Sequence, residues 1–529
     1  MPFSKKPGAR SGAKRTSDKR TSDKRTSDKR TSENRTSEKR TFAGKERGER
    51  YSDERPKPRR RPKYYQPRTF MGANSETEER RLAEWTGQRI ALEVLHAFEE
   101  TQERADILLR THIQRHLGIL DSRDREQIAR TALNVIRYKL RLDYVVSKTL
   151  KRNAEELEPL IRCIYRLAAF HIVHLGHSVE RTQAIVNFIV PKSYGNQKEN
   201  LRNFISYLKK YHTEISFPNP RKQPVEALAI TYSHPSWLIE KWSKTYGTES
   251  TVRMCEFDNQ ETPLVLRINT LKATEADVFK KLKAEGIIPK KTAYAQYGLI
   301  PGEVHDIFNR KIFKDGWVEV QAESSQIFCE WVNPASEDRV LDACAGGGGK
   351  SLALSMLMHN TGHIVAADIN AGALEQLKKR ATRAGCKNIE VIENDALAAL
   401  NQRGTWYDKI IIDAPCSGLG VLQRNPDMRW RVTQDNIEKL VNEQRTLLEN
   451  YAPLVKPGGM LIYATCTLSE EENENVIEAF LSAHPEFELQ KNHDARWKKF
   501  ISGKGYFCIT PFEHNISGFF SGKLIRRKN

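Results

Sequence analysis

From residue 334 to its end, the chain alternates short apolar runs with longer amphipathic stretches, and this alternation restricts the fold more than any other feature. Apolar runs of strand length that are separated by helical patterns are typical of βαβ units. Repeated βαβ units form a doubly wound parallel sheet, so residues 334–529 predict an α/β Rossmann-like domain. The runs lie at residues 339–343, 363–368, 389–395, 409–413 and 460–465.

Aspartates end three of these runs, at Asp368, Asp395 and Asp413. Parallel strands bring such residues to one edge of the sheet, and open α/β sheets bind ligands beyond the carboxyl ends of their strands. The three aspartates are therefore candidate binding residues.

A glycine-rich loop follows the first run, with the sequence Asp342-Ala-Cys-Ala-Gly-Gly-Gly-Gly-Lys-Ser. Its last residues are similar to a phosphate-binding loop, but that motif requires glycine where this chain has Cys344, so a nucleoside triphosphatase is the weaker interpretation. The stronger one is a nucleoside-binding loop, because its glycines let the backbone approach a ligand and an acid about 20 residues later holds the ribose hydroxyls. Asp368 lies at that distance, which favours an adenosyl cofactor.

Two of the eight cysteines follow the ends of predicted strands: Cys416 in Asp413-Ala-Pro-Cys and Cys466 in Thr465-Cys-Thr. Cysteines at the ligand-binding edge are candidates for covalent catalysis, whereas most lone cysteines are small buried hydrophobic residues. The chain has no Cys-x-x-Cys pair, so we expect neither a zinc site nor a disulfide framework. This cysteine usage, with no secretory signal and no apolar span of about 18 residues, predicts a cytoplasmic protein.

At 529 residues, the chain is long enough for about three folded domains. Apolar stripes at helical spacing predict an all-helical domain over residues 81–215. Residues 216–229 contain prolines among polar residues and predict a linker, and mixed strand and helix patterns predict a small α+β domain over residues 230–333.

Residues 1–80 form a basic tail that contains repeats of the pentapeptide Arg-Thr-Ser-Asp-Lys. Residues 1–70 carry 24 Lys and Arg against 9 Asp and Glu, which is +15 of the net charge of +19. Almost no large apolar residue is available to offset the entropy of ordering, so we expect disorder. Such a tail is compatible with a loose phosphate-contacting arm, and also with a dispensable solubilising extension.

The motifs of the last domain resemble those of the Nop/Sun family of RNA cytosine-C5 methyltransferases. The matching segments are Asp342-Ala-Cys-Ala-Gly-Gly-Gly-Gly-Lys, Asp413-Ala-Pro-Cys-Ser-Gly-Leu-Gly, Arg424-Asn-Pro-Asp-Met-Arg-Trp and Tyr463-Ala-Thr-Cys-Thr, with landmarks at Arg267-Ile-Asn-Thr-Leu, Val320-Gln-Ala-Glu-Ser-Ser-Gln and Gly518-Phe-Phe. The chain has Gly346-Gly347 where the family usually has Ala-Pro, and Ser517 where it has an acid. The resemblance implies S-adenosylmethionine as cofactor, held by the loop residues Cys344, Ala345, Gly346, Gly347, Gly348, Gly349 and Lys350.

The resemblance also implies a role for each strand-end residue. Cys466 would be the thiolate that attacks cytosine C6, and Cys416 would assist elimination. Asp413 would hydrogen-bond the cytosine edge, and Lys350 would contact the base and support the thiolate. Asp368 and Asp395 would hold the ribose and the adenine end of the cofactor.

The helical domain resembles the NusB-like RNA-binding domain that is fused to bacterial 16S rRNA methyltransferases of this family. The similar segments are Leu120-Asp-Ser-Arg-Asp-Arg and Ile136-Arg-Tyr-Lys-Leu-Arg-Leu-Asp-Tyr. This combination implies 16S rRNA as partner, unassembled or in an early small subunit, with neither a membrane nor an obligate protein partner.

Three alternatives remain open on the sequence alone. The substrate is also compatible with tRNA. A DNA cytosine methyltransferase would use the Pro-Cys thiol, Cys416, as nucleophile and would have less use for Cys466. A NusB-like RNA-binding or assembly factor without catalysis is expected to lack one of Lys350, Asp413, Cys416 and Cys466, and all four are present.

Overall fold

The computed structural model describes most of the chain after the basic tail. The described residues are 75–118, 120–302, 304, 306–393, 407–491 and 493–528, with only the backbone described for 75–81. The predicted disorder of the tail and the candidate Asp395 lie outside these residues.

The first part of the described chain is all helical, because its apolar stripes at helical spacing pack into one core. The Asp121 side chain accepts from the backbone N–H of Asp124 at 2.8 Å and caps the third helix. The helices are α1 Ser75–Thr101, α2 Ala105–Gln114, α3 Ser122–Arg137, α4 Lys139–Leu150, α5 Pro159–Val173, α6 Val179–Ile189 and α7 Gln197–Tyr211.

Three further helices connect this part to the small α+β domain: α8 Pro224–Tyr232, α9 Ser236–Tyr246 and α10 Thr248–Asn259. The first of them begins inside the predicted linker, because the run Val225–Ile230 buries Ala227, Ala229 and Ile230 despite the nearby prolines. The α+β domain contains a four-stranded antiparallel sheet in the order β2-β3-β1-β4. Its elements are β1 Leu266–Ile268, α11 Glu275–Ala284, β2 Lys290–Lys291, β3 Gly298–Ile300, α12 Lys311–Lys314, β4 Val318–Val320 and α13 Glu323–Val332.

The apolar runs after residue 334 form the parallel part of an eight-stranded sheet, with β7-β6-β5-β8-β9 as neighbours. Apolar side chains from both faces of this sheet form the core of the domain. The strands are β5 Arg339–Asp342, β6 His363–Asp368, β7 Ile389–Glu393, β8 Tyr407–Asp413, β9 Val455–Thr465, β10 Phe487–Leu489, β11 Phe507–Ile509 and β12 Phe519–Arg526. The helices are α14 Gly349–Leu357, α15 Ala371–Ala384, α16 Met428–Arg431, α17 Gln434–Tyr451, α18 Glu474–Ala483 and α19 Pro511–His514.

The last three strands differ from the predicted all-parallel sheet, because β10, β11 and β12 join it in antiparallel pairs. Residues 510–518 between β11 and β12 are fewer than the dozen or so that a parallel crossover needs, so these two strands pair as antiparallel neighbours. The prediction of a Rossmann-like α/β domain is confirmed, with a mixed sheet rather than a purely parallel one.

A short segment after β8 holds the helical domain, the connecting helices and the last domain together. The Arg429 side chain is fully buried and donates to the Ser233 carbonyl at 3.0 Å and to Asn259 Oδ1 at 3.1 Å. Beside it, Trp430 Nε1 donates to the Ile136 carbonyl at 2.7 Å. Residues 424–431, which the sequence identifies only as a motif, therefore form a structural junction.

The junction contains a buried acid near the arginine. Burial raises the pKa of Asp258 to about 7, although the Arg429 and Arg137 guanidinium groups oppose this shift. His234 Nε2 lies 3.4 Å from Asp258 Oδ2. Because all these groups are buried, removal of one partner leaves the others unsatisfied.

None of the helices in the described parts of the chain combines the length and the apolar character that a membrane crossing requires.

We predict that Arg429→Met lowers the free energy of unfolding by about 3 to 5 kcal/mol, because it leaves buried carbonyl groups without their donor and the buried acid Asp258 without a neighbouring positive charge. Urea denaturation followed by circular dichroism measures this change. Arg445→Met, at an exposed position of α17, is the control and should change stability by less than about 0.5 kcal/mol. Equal stabilities of the two variants would contradict the structural role of Arg429.

Candidate active site

The glycine-rich loop connects β5 to α14 and carries the cofactor residues predicted from the sequence. Gly348 has a φ of +80°, and a Cβ at this position would lie 2.4 Å from Leu377 Cγ, so only glycine fits. The Gly347 carbonyl accepts from Arg380 Nη1 at 2.6 Å. A Cβ built on Gly346 or on Gly349 meets no atom within 4 Å, so open space for a ligand lies beside the loop.

Asp368 ends β6 and faces this loop. One carboxylate oxygen accepts from the Gly346 backbone N–H at 2.8 Å, and the other accepts from the Asn370 N–H at 2.8 Å. These bonds orient the carboxylate while each oxygen keeps a lone pair for a further donor. The side chain after it, Ile369, is 88% exposed. An exposed apolar side chain beside an oriented carboxylate suits a nucleoside, which has an apolar ring face and ribose hydroxyls.

The carboxyl ends of β5 and β8 and the loop between β4 and α13 surround one cavity of about 220 Å³. The lining includes five of the predicted site residues and seven further residues. The predicted ones are Cys344, Ala345, Gly349, Lys350 and Asp413. The others are Val320, Gln321, Ala322, Ser325, Asp342, Arg380 and Arg424.

Several of the further lining residues belong to motifs that the sequence contains. Gln321, Ala322 and Ser325 belong to the landmark that begins at Val320, and Arg424 begins another landmark. The small domain thus supplies one wall of the cavity, and Gln321 Nε2 donates to the Gly349 carbonyl at 3.2 Å.

Lys350 and Asp413 form an ion pair inside the cavity, between Nζ and Oδ2. Burial lowers the pKa of Lys350, but the Asp413 carboxylate more than offsets this effect, so the net shift is upward and the ammonium group stays charged. The Lys350 Nζ atom lies 5.4 Å from the ring centre of Phe519. Nearby, burial raises the pKa of Asp342 to about 6, although the Ser351 hydroxyl donates to this carboxylate at 2.6 Å.

The two candidate cysteines are neighbours, with 3.4 Å between the Cys416 and Cys466 sulfur atoms. They come together because β8 and β9 pair in parallel, with Asp413 opposite Ala464. The hydrogen bond to Cys466, together with burial, raises the pKa of Cys416 well above its ordinary value. The raised pKa favours the protonated thiol of Cys416, and either sulfur can be the donor of the hydrogen bond between them.

A buried glutamate lies beneath both cysteine loops. Glu472 is fully buried and accepts from the Ser417 N–H at 2.8 Å, the Ser417 hydroxyl at 2.5 Å and the Thr467 hydroxyl at 3.3 Å. It also accepts from Gln444 Nε2 at 3.1 Å. Glu472 could not be selected from the sequence, because the run Glu470–Glu472 is typical of a solvated acidic surface.

Backbone contacts bring the same loops together with the C-terminal strand. The Gly420 N–H donates to the Cys466 carbonyl at 3.0 Å, and the Gly518 N–H donates to the Gly420 carbonyl at 2.7 Å. A Cβ on Gly420 would lie 2.8 Å from the Cys466 oxygen, so the close approach of the loops requires glycine. The Gly518-Phe-Phe landmark therefore has a packing role next to the thiol pair.

Sequence comparisons place each domain in a known family. Residues 329–525 match the family described as 16S rRNA methyltransferase RsmB/F. Residues 234–306 match the ferredoxin-like domain of RsmF/B-like methyltransferases, and residues 86–205 match the NusB family.

Individual proteins are similar over most of their length. A probable ribosomal RNA small subunit methyltransferase B from Bacillus subtilis is 31% identical over 440 residues, which cover 82% of this chain and 96% of the relative. The crystal structure of the protein PH0851 has a TM-score of 0.69 at 27% identity and covers 83% of this chain and 98% of its own. A methyltransferase homologue from Pyrococcus horikoshii has a TM-score of 0.50 at 28% identity and covers 57% of this chain and 99% of its own.

The matched families, the near full-length relative and the geometry of the glycine-rich loop beside Asp368 agree with one another. The chain belongs to the RsmB/F family and is an RNA methyltransferase that uses S-adenosylmethionine.

Proposed function

We propose that this protein methylates carbon 5 of a cytosine in small-subunit ribosomal RNA through a covalent adduct between Cys466 and cytosine C6. The observation that carries the proposal is the pair of thiols, 3.4 Å apart at the ends of adjacent strands. A methyltransferase that acts on a nucleophilic nitrogen or oxygen has no need of two such thiols, whereas methyl transfer to cytosine C5 needs a covalent step.

The chemistry follows from the weak nucleophilicity of cytosine C5. Addition of a thiolate to C6 breaks the C5–C6 π bond and moves its electron pair toward C5. This carbon then displaces the methyl group from the sulfonium of S-adenosylmethionine, and S-adenosylhomocysteine leaves. Loss of the C5 proton and cleavage of the C6–S bond finally restore the aromatic ring and release the enzyme thiolate.

The hydrogen bond between the thiols supports different roles for them. The raised pKa keeps Cys416 protonated, so its S–H can donate to the Cys466 sulfur, and this assignment favours Cys466 as the thiolate. Once Cys466 is bonded to C6, the interaction that contributes most to the raised pKa of Cys416 is weakened. The pKa of Cys416 then falls toward its ordinary value, so Cys416 can release its proton to solvent, and its thiolate can accept the C5 proton and assist elimination.

The Lys350–Asp413 pair supports activation of the base. Asp413 would bind the N3 and N4 edge of cytosine and relay a proton from the Lys350 ammonium group to the base, which stabilises the adduct. Until that transfer, Lys350 would place a positive charge beside the base and the thiolate. The unpaired base has to leave its stack to enter the cavity, so a loop or bulge of RNA is the expected substrate.

Asp368 and the glycine-rich loop are the proposed cofactor site, because the oriented carboxylate and the open space beside Gly346 and Gly349 suit the ribose and the methionine part. The other loop residues, Cys344 to Gly348, and Asp413 complete this proposed set, with Asp395 at the adenine end.

The helical domain and the name of the Bacillus subtilis relative, a ribosomal RNA small subunit methyltransferase, support small-subunit rRNA as the substrate over the tRNA alternative. We place the reaction in the cytoplasm, on free 16S rRNA or an early small subunit. Transfer of tritiated methyl groups to total RNA of a deletion strain tests this substrate. Labelling of tRNA without rRNA would overturn it.

We predict that Asp368→Ala weakens binding of S-adenosylmethionine by about 1 to 3 kcal/mol, since hydrogen bonds to a charged acceptor are lost. Isothermal titration calorimetry measures the cofactor affinity, and RNA affinity should remain unchanged. Asp435→Ala, on the exposed first turn of α17, controls for the loss of a negative charge. If both variants bind the cofactor like the wild type, Asp368 is not part of the site.

We predict opposite phenotypes for alanine substitutions of the two thiols. Cys466→Ala should form no covalent bond to RNA and transfer no methyl group, because the nucleophile is absent. Cys416→Ala should attack and methylate but then stall, so a protein–RNA adduct accumulates and survives denaturing electrophoresis. An adduct with Cys466→Ala and none with Cys416→Ala would reverse the roles and revive the mechanism in which Cys416 is the nucleophile.

A further inference from the structure

Arg424 is a cation of the active-site cavity without a partner among the residues that the structure describes. The other charged groups of the lining are engaged: Lys350 pairs with Asp413, Arg380 lies 3.2 Å from Glu319, and Asp342 accepts from Ser351. No described carboxylate lies within 4.0 Å of the Arg424 guanidinium, and no described group accepts a hydrogen bond from it. The side chain is nevertheless exposed at the cavity.

The backbone around Arg424 is held firmly. Its N–H donates to the Val421 carbonyl at 3.1 Å. The preceding carbonyl, that of Gln423, accepts from Arg137 Nη2 at 2.7 Å and from the Thr262 hydroxyl at 3.0 Å. These bonds are made by main-chain atoms of Gln423 and Arg424. The guanidinium group of Arg424 itself makes no hydrogen bond or ion pair with the described residues. A fixed turn therefore presents an unpaired cation at the mouth of the cavity.

We infer that Arg424 binds a backbone phosphate of the RNA next to the target cytosine. This inference rests on the proposed function. When a base leaves its stack and enters a pocket, its backbone stays at the mouth of that pocket. A guanidinium group at the mouth provides a planar pair of donors for two phosphate oxygens. Such a contact fixes the position of the nucleotide without reading its sequence.

Arg424→Ala should raise the dissociation constant for a 16S rRNA transcript about tenfold, which corresponds to the loss of one charge-assisted contact. It should also lower the slope of log affinity against log salt by about one, because one fewer counterion is released. Arg424→Lys should restore the salt slope but only part of the affinity, since lysine keeps the charge and loses the two-point contact. Filter binding across a salt series measures all three values.

Arg445→Ala, an exposed arginine of α17, is the matched control and should leave both values unchanged. In the proposed cofactor site, the carboxylate of S-adenosylmethionine is a second anion that Arg424 could bind. The affinity for S-adenosylmethionine therefore distinguishes a contact with the cofactor from a contact with RNA phosphate. If Arg424→Ala weakens cofactor binding and leaves RNA binding intact, the inference is wrong. If the wild type binds the transcript but methylates none of it, the proposed function fails while the contact of Arg424 is still measured.

A different observation concerns Glu472. Two of its donors are neighbours of the thiols in sequence, because Ser417 follows Cys416 and Thr467 follows Cys466. Ser417 and Thr467 also contact each other, with 2.7 Å between their hydroxyl oxygens. One buried carboxylate therefore ties together the two loops that carry the thiols.

The geometry points to Glu472 as a positioning residue that sets the separation of Cys416 and Cys466. Glu472→Gln keeps the volume but replaces an acceptor oxygen by an NH₂ group, which faces N–H and O–H donors instead of pairing with them. We expect kcat to fall at least about tenfold with unchanged KM for RNA and unchanged cofactor affinity. Glu470→Gln, at an exposed position of the same acidic run, should have wild-type kcat.

Disulfide formation measures the separation directly. Diamide accepts two electrons and two protons from a pair of thiols, so it should join Cys416 to Cys466 in the wild type, and peptide mapping identifies this product. The rate should fall about tenfold in Glu472→Gln and recover partly in Glu472→Asp. A Glu472→Gln protein with wild-type kcat and oxidation rate overturns this role, and so does a loss of kcat with an unchanged oxidation rate.

Discussion

The parallel pairing of β8 with β9 determines the position of the reactive groups in this protein. Because Asp413 lies opposite Ala464, the loops that follow the two strands leave the sheet side by side, and the thiols of Cys416 and Cys466 meet at 3.4 Å. The pairing of β8 with β5 adds the glycine-rich loop and Lys350 on the other side. A shift of one residue in either pairing would turn the strand-end side chains to the opposite face of the sheet and separate these groups.

Strand pairing alone does not hold the loops, since both run beyond the last ladder hydrogen bond. Buried polar groups take over this function. Glu472 collects donors from both cysteine loops, and Arg429 joins the segment after β8 to the helical domain. A buried carboxylate or guanidinium group is costly unless its hydrogen bonds are satisfied, and for that reason it specifies one arrangement of its neighbours.

A site residue could be predicted where the residues next to it in sequence indicate its position in the sheet. It could not be predicted where its position depends on partners that are far away in sequence. Asp368, Asp413 and the cysteines each follow an apolar run, so the pattern indicates that they share one edge of a sheet. Glu472 gives no such signal, because Ser417, its partner, is 55 residues away. Arg429 is a similar case, since it donates a hydrogen bond to the backbone carbonyl of Asp258, which is 171 residues away in sequence. The antiparallel β12 was missed because only the lengths of the final connections reveal its direction.

The arrangement of the thiols also explains how one type of side chain can serve two steps in the proposed mechanism. Two equivalent cysteines in contact would compete for the same proton, and either could attack the base. Here the hydrogen bond and burial raise the pKa of Cys416, which favours the proton on this sulfur and allows Cys466 to act as the acceptor. Covalent bonding of Cys466 to the base removes that acceptor and weakens the constraint on Cys416. Once Cys416 has released its proton to solvent, its thiolate can accept the C5 proton, so formation of the adduct prepares the group that later resolves it.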